Sequence, residues 1–120
     1  LRLLFDHNLP APLRRDLPRH EVVLAAERGW AELRNGDLLS AAEAAGFQVL
    51  ITVDKKLRYQ QNLAGRRIGL VILSTQTLEI LRGALSRIEA SIQAAGQGGY
   101  HELDLPRPAL IRRPPPEQTR

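Results

Sequence analysis

Three aspartates stand where carboxylates can do chemistry: Asp6, Asp37 and Asp54. Asp6 closes the apolar run LRLLF, and Asp54 closes QVLITV, so each ends a predicted strand. Asp37 opens the helix-forming run LLSAAEAAG. With the two strands as neighbours, Asp6 and Asp54 lie side by side at one sheet edge, and Asp37 reaches that edge through its loop. Carboxylates packed together repel and raise one another's pKa. A hard divalent cation resolves that repulsion. Mg²⁺ or Mn²⁺ suits oxygen ligands of this kind and keeps several waters. Such an ion can activate water and clamp a phosphodiester. A plain structural role competes at each position, because carboxylates at strand ends form turns and cap helices. Asp54, followed by Lys55 and Lys56, can also be a surface ion pair worth at most about 1 kcal/mol.

These acids need a scaffold, and the chain has the length and make-up for one. It has 120 residues, 43% hydrophobic and 25% charged, which is the composition of one globular domain rather than a disordered or fibrous chain. Cysteine is absent, which excludes disulfides, thiolate metal sites and a cysteine nucleophile. No apolar run approaches the ~20 residues of a membrane span. A cytoplasmic protein without a membrane partner is expected. The formal charge is +4, but residues 107–120 hold four arginines and one glutamate, so the body is nearly neutral. The high pI is therefore weak support for nucleic-acid binding.

Residues 1–6 read as a strand buried on both faces, as in parallel sheets. Asn8 is placed to cap a short helix over 9–17, with Pro10 in its first turn. A second strand is expected over 21–25, and a loop or broken helix around Trp30 follows. The helix from Asp37 is stopped by Gly46. Strands over 48–53 and 68–73 follow. Leu78, Leu81, Leu85, Ile88 and Ile92 recur at three- and four-residue spacing and predict one long helix over 77–95. YHELDL, residues 100–105, alternates weakly and fits an edge strand. From Pro106 onward the chain reads as a Pro/Arg-rich tail, dividing it into a domain over 1–106 and a tail over 107–120. Within the tail, ALIRR is placed to dock as a last extended piece.

Strands alternating with helices predict an α/β fold with a parallel sheet of four or five strands. Crossovers in such sheets are right-handed. Ligands bind beyond the carboxyl ends of the strands, where Asp6 and Asp54 fall. His20 and His101 lack a second histidine at ligand spacing, so neither predicts a histidine metal site. Trp30 reads as a core plug or dimer contact.

The segments LRLLFDHNLP, NGDLLSAAEAAGFQVLITVD and KKLRYQQNL together resemble the small PIN-like proteins. That group is similar to the PIN-domain ribonucleases of toxin–antitoxin modules. The resemblance spans residues 1–75, with the 77–95 helix in matching order. It implies a three-layer α/β/α sandwich, PIN-like, and a metal-dependent endoribonuclease. Asp6, Asp37 and Asp54 would hold Mg²⁺ or Mn²⁺, with Asn8, Thr52, Ser74 and Thr75 supporting them. Thr52 shares a face with Asp54, two residues on, and is placed to orient it. RNA would be the substrate and a small antitoxin protein the partner. Homodimerisation is a further expectation, since two-fold pairing is the commonest assembly of small folds.

Two departures from the family pattern remove negative charge. Ser74 and Thr75 stand where a fourth acid is common, and His7 stands where an acid often follows the first aspartate. They motivate an alternative: a degenerate PIN-like module that binds RNA or a protein without catalysis. Lys55, Lys56, Arg58, Arg66 and Arg67 occur with no intervening acid and fit an RNA-binding rim, where Tyr59 is placed to stack on a base. The same run also reads as a solvated surface. A third reading is a phospho-acceptor receiver domain, with Asp54 as acceptor. It lacks the second acid beside Asp6 and a lysine on the fifth strand.

Overall fold

The computed structural model describes residues 1–56 and 66–106. Arg58, Tyr59 and the 107–120 tail, with its ALIRR segment, lie outside the described residues. Five strands form one sheet: β1 (Arg2–Phe5), β2 (Glu21–Leu24), β3 (Val49–Thr52), β4 (Gly69–Leu73) and β5 (Tyr100–Leu103). Their order is β2-β1-β3-β4-β5, and every pairing is parallel. Among the described residues the helices are α1 (Asn35–Ala44), α2 (Leu78–Arg82) and α3 (Leu85–Ala95), with 3₁₀ turns over Ala11–Asp16 and Ala25–Arg28. Among the described residues, no helix is long and apolar enough to cross a membrane.

The near-continuous apolar strands are explained by burial on both faces. Leu3, Phe5, Val49, Ile51, Val71 and Leu73 point to one face. There they meet Leu9, Leu13 and Leu17 from the first connection, Leu81 from α2, and Ile88 and Ile92 from α3. Leu4, Leu50, Leu70 and Ile72 point to the other face, against Leu38, Leu39 and Ala42 of α1. Burying each such side chain contributes roughly 1.5–3 kcal/mol.

Three local details differ from the sequence reading. The first helix is a short 3₁₀ turn whose N-cap is Pro10, with no side-chain capping bond, so Asn8 is not its cap. The helix expected from Asp37 begins two residues earlier, with Arg34 as N-cap, which puts Asp37 in its first turn. The long helix over 77–95 is two helices, broken at Gly83–Ala84. The apolar spacing runs through the break because both pieces cover the same sheet face.

The described crossovers do not all share one hand. The β1→β2 connection and the α2–α3 connection cover the same face, yet they step across the sheet in opposite directions. Their hands are therefore opposite. The β2→β3 connection steps the other way on the other face and shares the hand of β1→β2. Two long-range contacts bind the chain together on the first face. Arg82 Nε donates to Asp16 Oδ2 at 2.8 Å, and His20 Nε2 lies 2.6 Å from Glu89 Oε2. Gly69 opens β4 directly against the end of α3, where an added Cβ would lie 1.9 Å from the Ala95 carbonyl oxygen.

Candidate functional site at the β1–β3 seam

The strand order fixes where a site can form. From β1 the chain moves to β2 on one side and later to β3 on the other. The carboxyl ends of β1 and β3 are thus the topological switch point, where open parallel sheets leave a crevice. Asp6 directly follows β1, and its N–H donates to the Ile51 carbonyl of β3 at 3.0 Å. The neighbourhood of Asp6 and Asp54 expected from sequence depends on this β1–β3 pairing, which is present.

Asp6 is 7% exposed and is the buried acid of the sheet. Strand alternation turns it toward the α1 face, opposite to Phe5. Thr52, fully buried on the same face, donates its hydroxyl to Asp6 Oδ2 at 2.6 Å. The same Thr52 oxygen accepts the Asp54 N–H at 3.1 Å. Thr52 therefore orients the Asp6 carboxylate, not that of Asp54 as its spacing suggested. Asp54 is half-buried, and its Oδ1 accepts the Lys56 N–H at 3.0 Å, a local turn bond. That leaves its second oxygen outside the turn bond.

The other oxygen of Asp6 is in a different situation. Oδ1 is buried and has no hydrogen-bond partner. His7 Nδ1 lies only 2.8 Å from it, but not in hydrogen-bonding alignment. This approach follows from the turn after β1, closed by the Leu9 N–H donating to the Asp6 carbonyl at 3.0 Å. His7 itself is exposed. Its direct attachment to a strand-ending aspartate was the available signal for this approach.

Asp37 is exposed in the first turn of α1. Because α1 leads back to the start of β3, that turn belongs to the carboxyl edge and the α1 face. Topology thus gives all three acids one face and one edge. Among the described residues, however, no group of three His, Asp or Glu side chains converges closely enough to hold a metal ion. The site is centred on Asp6, with Thr52, His7 and Asp54 around it.

Ser74 and Thr75 make structural bonds after β4. Ser74 Oγ accepts the Leu105 N–H at 2.8 Å, and Thr75 Oγ1 accepts the Thr77 N–H at 3.1 Å. Asn8 is exposed in the turn after Asp6.

The basic run divides into two kinds of residue. Lys55 and Lys56 are exposed beside Asp54, at the edge of the site. Arg66 instead binds α1: Nη1 donates to Glu43 Oε1 at 3.1 Å, and Nη2 to Ser40 Oγ at 3.3 Å. The backbone N–H groups of Arg67 and Ile68 donate to Glu43 Oε2 at 2.6 and 3.4 Å. Glu43 thereby clamps the return of the chain into β4. The Arg67 N–H foremost holds its carboxyl below the usual glutamate range; burial opposes this, and Ile68 and Arg66 reinforce it. Glu43 was missed from sequence, although it is the lone acid of the run AAEAAG.

No protein-family profile matches the chain, and no curated protein or solved structure shows significant similarity to it.

Proposed function

We propose that the chain is a PIN-like, metal-dependent endoribonuclease with a three-layer α/β/α architecture. The observation that carries this reading is the buried Asp6 carboxylate at the switch point of a parallel sheet, whose Oδ1 accepts no hydrogen bond and has the exposed His7 ring beside it. A buried carboxylate oxygen with no partner costs several kcal/mol of lost solvation unless a cation or donor meets it. Coverage of both sheet faces by apolar connections supports the layered architecture.

Asp6 would hold Mg²⁺ or Mn²⁺, with Asp54 and Asp37 on the same edge adding negative charge around it. Such an ion supplies an activated water and charge neutralisation at a phosphodiester. Thr52 holds the Asp6 carboxylate in one orientation, so its free oxygen is fixed before any ligand arrives. Lys55 and Lys56 meet the phosphates of single-stranded RNA. The resemblance further suggests a cytoplasmic toxin restrained by a small antitoxin.

A binding module without catalysis is the second reading. It is favoured by the absence, among the described residues, of a three-ligand cluster. It is also favoured by the structural bonds of Ser74 and Thr75, where a fourth acid would stand. A receiver domain shares the strand order β2-β1-β3-β4-β5. Against it, His7 rather than an acid adjoins Asp6, and Asp54 Oδ1 is engaged by the Lys56 N–H.

The test is cleavage of a labelled single-stranded RNA with Mn²⁺, beside Mn²⁺ calorimetry, for wild type, Asp6→Asn and Asp54→Asn. The nuclease reading expects both signals in wild type and neither in Asp6→Asn. RNA retention without cleavage in wild type selects the binding module.

A further inference from the structure

β2 is the outermost strand on one side of the sheet, and side chains cover part of its far edge. The Glu21 N–H donates to the Leu1 carbonyl, just before β1, at 2.9 Å. Backbone groups change sides from one residue to the next along a strand, so the N–H and C=O of Val22 and Leu24 face away from β1. Two of these outward groups are met by side chains. Arg14 Nη1 donates to the Val22 carbonyl at 3.4 Å, and Glu27 Oε1 accepts the Leu24 N–H at 3.0 Å. Arg14 Nη1 and Glu27 Oε1 are themselves 2.8 Å apart and form an ion pair. Both come from the 3₁₀ turns that flank β2 in the chain, Ala11–Asp16 and Ala25–Arg28. The Leu24 N–H foremost, and then Arg14, hold the Glu27 carboxyl below the usual glutamate range, so the anion is present at neutral pH.

This donor and acceptor stand where a neighbouring strand would put its own. In an antiparallel pair, directly opposed residues exchange both N–H···O bonds at every second position. A second β2 laid antiparallel about Val23 opposes Val22 to Leu24 and Leu24 to Val22. Each Val22 carbonyl then accepts a Leu24 N–H from the other copy. Arg14 supplies that N–H, and Glu27 that oxygen, from within the chain. The side chains agree. Val22 and Leu24 point to one face and would oppose each other as apolar pairs, and Val23, on the other face, would oppose its own copy. Bare edge strands invite such pairing, and natural sheets block it with charged side chains.

We propose that Arg14 and Glu27 form a strand-mimicking clasp over the β2 edge, and that the partner the opened edge accepts is β2 of a second copy, antiparallel about a two-fold axis. Two-fold pairing of identical edges is self-complementary, as this register is. The clasp is releasable, because its side chains are 39% and 46% exposed and exposed ion pairs are weak. A nuclease and a binding module would carry it alike.

The full chain and an Arg14→Ala, Glu27→Ala double variant are compared by sedimentation velocity, with amide hydrogen exchange read at Val22 and Leu24. The double variant is expected to self-associate at least tenfold more tightly than wild type, with both amides slowed in the dimer. Arg15→Ala with Glu32→Ala removes the same charges from two exposed positions and is expected to behave as wild type. Circular dichroism checks each fold. Should the double variant unfold, Arg14→Ala alone, which frees the Val22 carbonyl, decides in its place. A folded variant that associates no more tightly than wild type overturns the clasp. Equal association by the charge-matched control overturns it, as does a dimer whose Val22 and Leu24 amides still exchange freely. A wild-type dimer with those two amides protected means an edge already open, and overturns it too.

Discussion

Thr52 donates to Asp6 Oδ2 across the seam between two parallel strands, and its own hydroxyl oxygen accepts the N–H of Asp54. One hydroxyl thus ties two strand ends and two acids together. A valine at this position has nearly the same volume but neither donor nor acceptor. Thr52→Val is expected to lower unfolding free energy by about 1–3 kcal/mol, because a buried carboxylate loses its partner. Thr52→Ser is expected to recover much of that loss. Urea denaturation of the two variants at neutral pH measures the difference; an unchanged midpoint for valine would contradict it.

Glu43 links stability to pH in a definite direction. Its folded carboxyl is held below the usual range, with the Arg67 N–H as the largest cause. A depressed folded pKa stabilises above the unfolded value, and the gain is lost as pH falls through the folded value. Glu43→Gln is therefore expected to melt below wild type at pH 7. The gap is expected to shrink as pH falls through the carboxylate range. Thermal melts of both proteins across pH 7 to 3 check this, and a gap that widens on acidification refutes it.

The basic residues are expected to separate into two classes. Lys55 and Lys56 are exposed, whereas Arg66 is engaged by Glu43 and Ser40. Under the proposed function, Lys55→Ala and Lys56→Ala weaken RNA binding, each reducing the slope of log affinity against log salt by about 0.7. Arg66→Ala lowers thermal stability and leaves that slope unchanged. Filter binding at several salt concentrations, beside thermal melts, distinguishes the classes. An Arg66→Ala slope that falls with the lysine variants would return Arg66 to the RNA rim.

Gly69 is constrained by approach, not by an unusual backbone angle. A methyl group there meets the Ala95 carbonyl at 1.9 Å, and backbone cannot yield as a side-chain tip can. Gly69→Ala is expected to cost about 1–3 kcal/mol or more by overpacking. Gly98→Ala is the useful contrast, since its added carbon meets nothing within 4 Å and its cost is conformational, from φ +96°. Denaturation midpoints of the pair measure the two effects.

Much of the scaffold was legible in the sequence because parallel strands are plain apolar runs. The runs ending in Asp6, Asp54 and Leu73 are β1, β3 and β4, within a residue or two. What stayed hidden was geometry that periodicity does not encode. The spacing of Leu78 to Ile92 is the same whether one helix or two cover the sheet, so the break at Gly83 was invisible. The side of the sheet taken by each connection was equally hidden, and with it the opposite-handed crossover. At the site, strand ends located Asp6 and Asp54 but could not reveal that Thr52 serves Asp6. Nor could they show that His7 folds back onto Oδ1, which depends on the turn closed by Leu9. Arg66 looked free because its partner, Glu43, is 23 residues away in the sequence.

The Arg82–Asp16 and His20–Glu89 contacts join residues 66 and 69 positions apart. The α1 face draws most of its covering from a short stretch, Ala25 to Phe47. Distant contacts require large loops to close before they stabilise anything, and such closures slow folding. The two faces are therefore expected to form at different times: α1 against β1 and β3 early, α2 and α3 late. β5 enters the sheet only after those late helices, so its attachment belongs to the last event. Hydrogen exchange is expected to record the reverse sequence, with the β5 amides opening before those of β1 and β3.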